Sequence, residues 1–497
     1  MTSHVSRSLV PAAAALLLCL APAMAQTSFL GWQPGEEPGA TPGVELVNIS
    51  KNNPAQGSVF PQLAVSRSDP NFVAVAWRRY ELPINTNTLD LDRVGQCHVA
   101  ISRDGGKNFT DTNMMPYLRT QGHPPDPAKA RTIHINDQGV EHDYTDPGTE
   151  PAIAACNAPW ATIGNDGTVY AGGALYTSGG TLQKYPRQGR AGLSVSRDGG
   201  KSWSKMVYGI NIANFAPGVT GIAGDMNPWS TPWDGANGVA DPITGTFYST
   251  ATVNGVISVS EDKGQSFSKV YTTGGGTITA AFGTVATAHF VTDATTFPGA
   301  KCPCLAFGVS TDKARTWKQS LIAEDGQFSR TGASRYPAPV ADPAHKGHFA
   351  VSVYAPDHKS VKVYYTDDTG QTWKSASPQP VPATIPVSEA NMTSAGYTSD
   401  GRLLVTWRGF RGPGAFNTFA AMLTGDSFGP TIKVSPQLSE YPPLTYAGNY
   451  GIGGGGGDFT TWISGNATTA FVAFPYAPGG VAEDTYLARI PLTLLAH

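Results

Sequence analysis

Several residues have the types and placement for chemistry on a charged substrate. Arg78 and Arg79 end an apolar run at 72–77. Guanidinium groups pair bidentately with carboxylates, so arginines at a strand end can clamp an anion. Asp90 and Asp92 follow and can act as a general acid or cap a turn. Arg335 and Tyr336 set a phenol beside a cation, an arrangement for a nucleophile or proton donor. Glu389 supplies a carboxylate that can serve as base or partner a tyrosine. Arg408 and Arg411 flank Trp407 and Phe410. There the cations can hold an acidic sugar while the aromatics stack on its ring. Trp229, Trp233 and Asp234 form an aromatic–acid cluster suited to a sugar or to core packing. His123, His134 and His142, with Tyr144, fall in a long segment at 113–149. A His or Tyr there can abstract a proton beside a carboxylate, or simply sit exposed on a loop.

The elements that must position these groups are short strands. One pattern recurs five times as Ser/Thr-x-Asp-x-Gly-x-Ser/Thr-aromatic, allowing single departures. Its aspartates are Asp104, Asp198, Asp262, Asp312 and Asp368, spaced by 94, 64, 50 and 56 residues. The carboxylate can accept N–H bonds from its own turn, glycine supplies a positive φ, and the aromatic opens the next strand. A strand-like run precedes each copy, at 97–101, 191–195, 256–259, 305–309 and 361–365, so each is a hairpin turn. These five aspartates are therefore read as structural. Periods near 50 with about four strands per unit indicate propeller blades. Seven blades are expected, at 58–112, 150–208, 225–272, 276–320, 333–376, 386–430 and 455–491, with six as the alternative count. The fold class is all-β, a single β-propeller of four-stranded blades over 58–497, preceded by a lead-in segment at 26–57.

The five turns resemble those of the sialidase superfamily, the Asp-box (BNR-repeat) β-propellers, over nearly the whole chain beyond the leader. That resemblance implies a glycan-handling propeller, though the superfamily also holds lyases and members without catalysis. The family pattern opens blade one with Arg-Ile-Pro, where this chain reads Val59-Phe60-Pro61-Gln62. One arginine of the family's three-arginine carboxylate clamp is thus replaced. The stretch 75–79 is similar to the family's arginine-bearing strand, and Asp92, or Asp90, inherits the acid/base role. The resemblance implies an exo-acting glycoside hydrolase on an acidic or terminal sugar. Asp92 would be the acid, Tyr336 with Glu389 the nucleophile system, and Arg78, Arg335 and Arg408 the clamp. Alternatives are a non-catalytic glycan- or protein-binding propeller and a polysaccharide lyase on uronic-acid polymers.

Composition agrees with many short strands and tight turns: 57 Gly, 39 Pro, 10% aromatic and 14% charged residues. A net charge of −3 excludes a basic footprint for nucleic acid. Arg7, the apolar stretch 9–20 and Ala23-Met24-Ala25 read as a secretory signal peptide at 1–25, with cleavage expected after Ala25. The expected location is secreted or periplasmic. No other run reaches the ~18 apolar residues of a membrane span. The expected partner is a carbohydrate or glycoconjugate. No cofactor is called for, and Cys97, Cys156, Cys302 and Cys304 have no histidines at zinc-ligand spacing. In an oxidising compartment Cys97 and Cys156 can bridge. Cys302 and Cys304 read as residues on one face of a strand, where a bridge is strained.

Overall fold

The computed structural model describes residues 39–496 apart from 54, 82–94, 138–139, 147, 149, 178–188, 209–235, 252–255, 268, 273–276, 294, 330–336, 382–384, 386–388, 413–414, 441–460 and 479–482. Among the described residues, strands alternate with turns and form seven sheets built on four-stranded antiparallel blades. The first strands of the blades are Gln56–Val65, Glu150–Ile163, Ala236–Ala240, Thr277–Ala281, Pro339–Ala341, Glu389–Tyr397 and Trp462–Gly465. Each touches the first strand of the next blade, and the seventh touches the first. They therefore ring a central axis, and the chain is a seven-bladed β-propeller. Apolar side chains from facing sheets fill the seams between blades. Between blades one and two, for example, Phe72, Ala74 and Ala76 meet Cys156, Ala161 and Ile163. Alternation along each strand lets both faces of a blade contribute.

The recurrent turns join third to fourth strands. In blade two, Asp198 Oδ1 accepts the N–H groups of Lys201 (3.0 Å) and Ser202 (2.9 Å), while the Ser196 hydroxyl accepts from Gly200 N–H (2.7 Å). The Ser202 hydroxyl and N–H, then the Ser196 hydroxyl, hold the Asp198 carboxyl well below the usual range. Gly200 sits at φ +95°, and a Cβ there would lie 2.2 Å from Ile101 Cδ1 of blade one. The glycine thus seats the turn against the preceding blade. Gly370 does the same against Phe307, at 2.6 Å.

Asp262 shows what these turns contribute. Partial burial pushes its pKa up, but the Ser266 and Ser260 hydroxyls and the N–H groups of Ser266 and Gln265 outweigh burial and hold it down. A lowered folded pKa adds stability above the ordinary carboxylate range, which is lost as pH falls through the folded value. Asp262→Ala is expected to cost about 1–3 kcal/mol, as for other charge-assisted hydrogen bonds. Denaturant unfolding at neutral pH checks it, and the deficit should shrink in acid.

The ring closes through the segment ahead of blade one. Glu45–Asn48 pairs antiparallel with Asp484–Pro491 and supplies the fourth strand of blade seven. The segment 26–57, expected only as a lead-in, thus contributes a strand to the propeller. Asp484 fastens this joint, accepting from Asn48 Nδ2 (2.8 Å), Ser50 Oγ (2.6 Å) and Asn52 N–H (2.8 Å).

The segment 113–149 is structured rather than a plain loop. Thr120–His123 pairs with the start of Glu150–Ile163. The hairpin Arg131–Asp137/Val140–Asp146 lays its first strand parallel to Lys269–Thr272, extending blade three. His134 and His142 are thus strand residues.

Two disulfides occur among the described residues. Cys97–Cys156 links the third strand of blade one to the first strand of blade two. Cys302 and Cys304 are also bonded, across a cis Cys302–Pro303 peptide. Cys302 lies in the turn before the strand Cys304–Ser310. This corrects the reading of both residues as sharing a strand face.

Candidate functional site

The Asp-containing turns lie on one face of the disc. Antiparallel alternation therefore puts the ends of the second strands and the starts of the third strands on the opposite face. Arg78 and Tyr80 end the second strand of blade one, Val73–Glu81. Arg408 and Arg411 end that of blade six, Leu403–Gly412. Glu483 immediately precedes the third strand of blade seven, Asp484–Pro491.

Tyr80, Glu483 and Arg408 meet. Tyr80 Oη donates a hydrogen bond to Glu483 Oε2 across 403 positions of sequence. The Arg408 charge acts on the same carboxyl. Arg408 packs over the Phe416 ring at 4.5 Å and the Phe410 ring at 5.6 Å. Tyr80, Glu483 and Arg408 are fully buried, Arg78 is 1% exposed and Arg411 is 9% exposed. Arg411 Nη1 donates to Asn417 Oδ1 at 3.4 Å, and Asn417 is tied in turn to Ser435 and to the Gln437 carbonyl.

Burial pushes the Glu483 carboxyl up to about 8, against the downward pull of the Tyr80 hydrogen bond and Arg408. A carboxyl titrating near neutrality can both give and take a proton at working pH. Its environment is a phenol, a guanidinium and low dielectric, where charge–charge terms strengthen.

The backbone prepares the site in blades one and six alike. Arg78 lies opposite Val59 and Arg408 opposite Asn391, each at the last paired position before a break in register. Within those bulges Phe60 has φ +56° and Met392 φ +49°. Left-handed conformations at such side chains cost free energy and bend the inner strand. The two arginines therefore occupy equivalent places. Tyr80 pairs with Gly57, where a Cβ would lie 2.3 Å from Tyr80 Cζ and Oη. Only glycine lets the phenol cross the inner strand to reach Glu483.

The expected site residues divide clearly. Arg78, Arg408 and Arg411 all end their strands on this face, and Arg411 turns to Asn417. Arg79 points the other way, as its strand neighbour must. Its Nε donates to Asn52 (3.2 Å), one Nη to the Ser50 carbonyl (3.1 Å), and Asp111 lies 3.8 Å away, so it braces the ring closure. Glu389 is opposite Phe410 in register, at the start of the blade-six inner strand. Gln62, in the opening of blade one, donates to Asn237 Oδ1 at 3.4 Å. Asp90, Asp92, Trp229, Trp233, Asp234, Arg335 and Tyr336 lie outside the described residues, as do the expected leader and its expected cleavage point. Tyr80 and Glu483 were not singled out in the sequence. Tyr80 had a signal, two residues beyond Arg78 and on the same strand face. Glu483 had none, because ring closure alone brings it near blade one.

No protein-family model matches the chain, and no curated protein does. Among solved structures, a protein of unknown function from Dyadobacter fermentans is similar at 14% identity and TM-score 0.45, covering 90% of this chain and 99% of that one. A Hadza microbial sialidase gives 12% and 0.39, covering 88% of this chain and 66% of that one. An α-L-arabinanase of Penicillium chrysogenum gives 12% and 0.39, covering 90% and 98%. At these scores the likenesses carry no residue role to this chain.

Proposed function

We propose that the protein is an exported, sialidase-like glycoside hydrolase acting on an acidic or terminal sugar. The observation that carries this reading is the Tyr80–Glu483 hydrogen bond beside Arg408 at the ends of blades one, six and seven. Tyr80 would attack the anomeric carbon while its phenolic proton passes to Glu483. The leaving oxygen takes a proton from an acid, the role proposed for Asp92. Water then cleaves the glycosyl–tyrosine bond, giving up its proton to the ionised Asp92 as Glu483 returns its own proton to the phenol. A tyrosine nucleophile is an allowed exception to the two-carboxylate scheme. Arg78, Arg408 and Arg411 would hold the sugar carboxylate. Tyr336 with Glu389 remains the competing nucleophile system. The leader at 1–25 supports export, and two disulfides suit an oxidising compartment.

The complete burial of Tyr80, Glu483 and Arg408 favours a second reading. In it the three residues form a polar plug that locks blades one, six and seven, and the propeller binds glycans without cleaving them. A panel of fluorogenic sialosides, uronides and arabinosides separates the two. Under the hydrolase reading one class is turned over, and Tyr80→Phe lowers that turnover by about 10²–10⁴-fold. Binding on a glycan array without product from any class would sink the hydrolase reading. Loss of turnover in Tyr336→Phe with retention in Tyr80→Phe would move the nucleophile to Tyr336.

A further inference from the structure

On the face that carries the Asp turns, the first turn of blade five gathers Asp342, His345 and His348, with donor atoms all within 4.8 Å of one another. We propose that these three residues form a binding site for a divalent transition metal of the zinc class.

The turn begins Asp342-Pro343, and blade three has its counterpart in Asp241-Pro242. In blade three both carboxylate oxygens are committed to backbone. Asp241 Oδ1 accepts from Ile243 and Thr244 N–H, and Oδ2 accepts from Gly283 N–H at 2.6 Å. In blade five Oδ1 does the same turn-holding work, accepting from Ala344 (2.7 Å) and His345 (3.2 Å). Its Oδ2 instead faces two imidazoles, His345 Nδ1 at 2.9 Å and His348 Nδ1 at 3.7 Å. Asp342 is fully buried, and among the described residues no lysine or arginine pairs with it. Three N–H groups compensate the equally buried Asp241 carboxylate, whereas two do so at Asp342. Among the described residues, the remaining oxygen is met by two metal-ligating rings.

The spacing suits an ion. Bonds of ~2.0–2.1 Å at tetrahedral angles put ligand atoms about 3.3 Å apart, between the two separations found. The two rings stack at 5.1 Å and are partly exposed, leaving a route from solvent and positions for water. Gly401 of the blade-six turn bounds the site. A Cβ there would lie 2.4 Å from His345 Nδ1 and 2.8 Å from Asp342 Oδ2. Bare backbone at this point keeps the donors clear. A carboxylate with two imidazoles selects zinc, and nickel or copper where available, over calcium or magnesium.

The test uses the full chain, stripped with a chelator and then equilibrated with Zn²⁺ or, as a spectroscopic probe, Co²⁺. The wild type is expected to bind one ion saturably and to gain thermal stability with added metal. His345→Gln/His348→Gln is expected to bind one ion fewer and to lose that metal-dependent gain, each protein being compared with its own metal-free form. Asp342 is left intact because it also holds the turn. No saturable binding by the wild type, or equal stoichiometry in the double variant, overturns the site.

Discussion

Glu483→Gln should remove a pH dependence of stability that the wild type carries between its unfolded and folded carboxyl pKa values. The ordinary value is 4.5, and the folded value is pushed up to about 8. Between them the folded state holds a proton that the unfolded state has released. Stability is therefore fully present below pH 4.5 and falls as pH rises towards 8. The slope for one proton is about 1.4 kcal/mol per pH unit. Above the folded value both states are ionised and this contribution is gone. Glutamine keeps the shape and removes the titration, so unfolding midpoints across neutral pH should flatten in the variant relative to wild type. Activity should run the other way. Glu483 must be ionised to take the Tyr80 proton, so turnover through the pair rises towards pH 8 as stability falls. In Glu483→Gln that rise should vanish and turnover drop by about 10²–10⁴-fold. A flattened stability profile with unchanged turnover would leave Glu483 as a structural plug and end its proposed role in hydrolysis.

Removing the Cys97–Cys156 bridge should be the most destabilising change outside the site. Its half-cystines are 59 positions apart and both are buried in the seam between blades one and two. Closing a loop of that length restricts the unfolded chain by roughly 4 kcal/mol in the entropic account, within a measured range of about 2–5. Cys97→Ala/Cys156→Ala should lose that amount in denaturant unfolding, and a reducing agent should reproduce much of the loss in the wild type. The bridge also bears on the site. Cys97 is the cross-strand partner of Arg78, and Cys156 N–H donates to the Gly95 carbonyl at 2.9 Å. Loosening this seam should weaken the anion binding proposed for Arg78 as well as the fold. Unchanged unfolding in the double variant would show that blade packing alone holds the seam.

The architecture was legible because it is written in local chemistry. Each Asp turn is a contiguous run of residues that satisfies its own backbone, as Asp198 does with Lys201 and Ser202. Such a motif reads the same in a sequence as in a structure, and five copies at blade-like spacing specify repeated hairpins. Arg78 and Arg408 were legible for a related reason, since each ends an apolar second strand. Which face each neighbour takes was not. Alternation sends Arg78 and Tyr80 one way and Arg79 the other, and only the packing of blade seven against blade one says which way leads to the site.

By itself the sequence determined that the chain alternates short strands with Asp-capped turns, and hence that it forms a propeller. It also determined which strand ends carry guanidinium groups. The tertiary structure decided the rest, because closing a ring creates contacts that no periodicity encodes. Glu45–Asn48 becomes the last strand of blade seven only when the two ends of the chain meet. The same closure presses Glu483 against Tyr80, raises its pKa by burial, and turns an ordinary-looking glutamate into the centre of the candidate site.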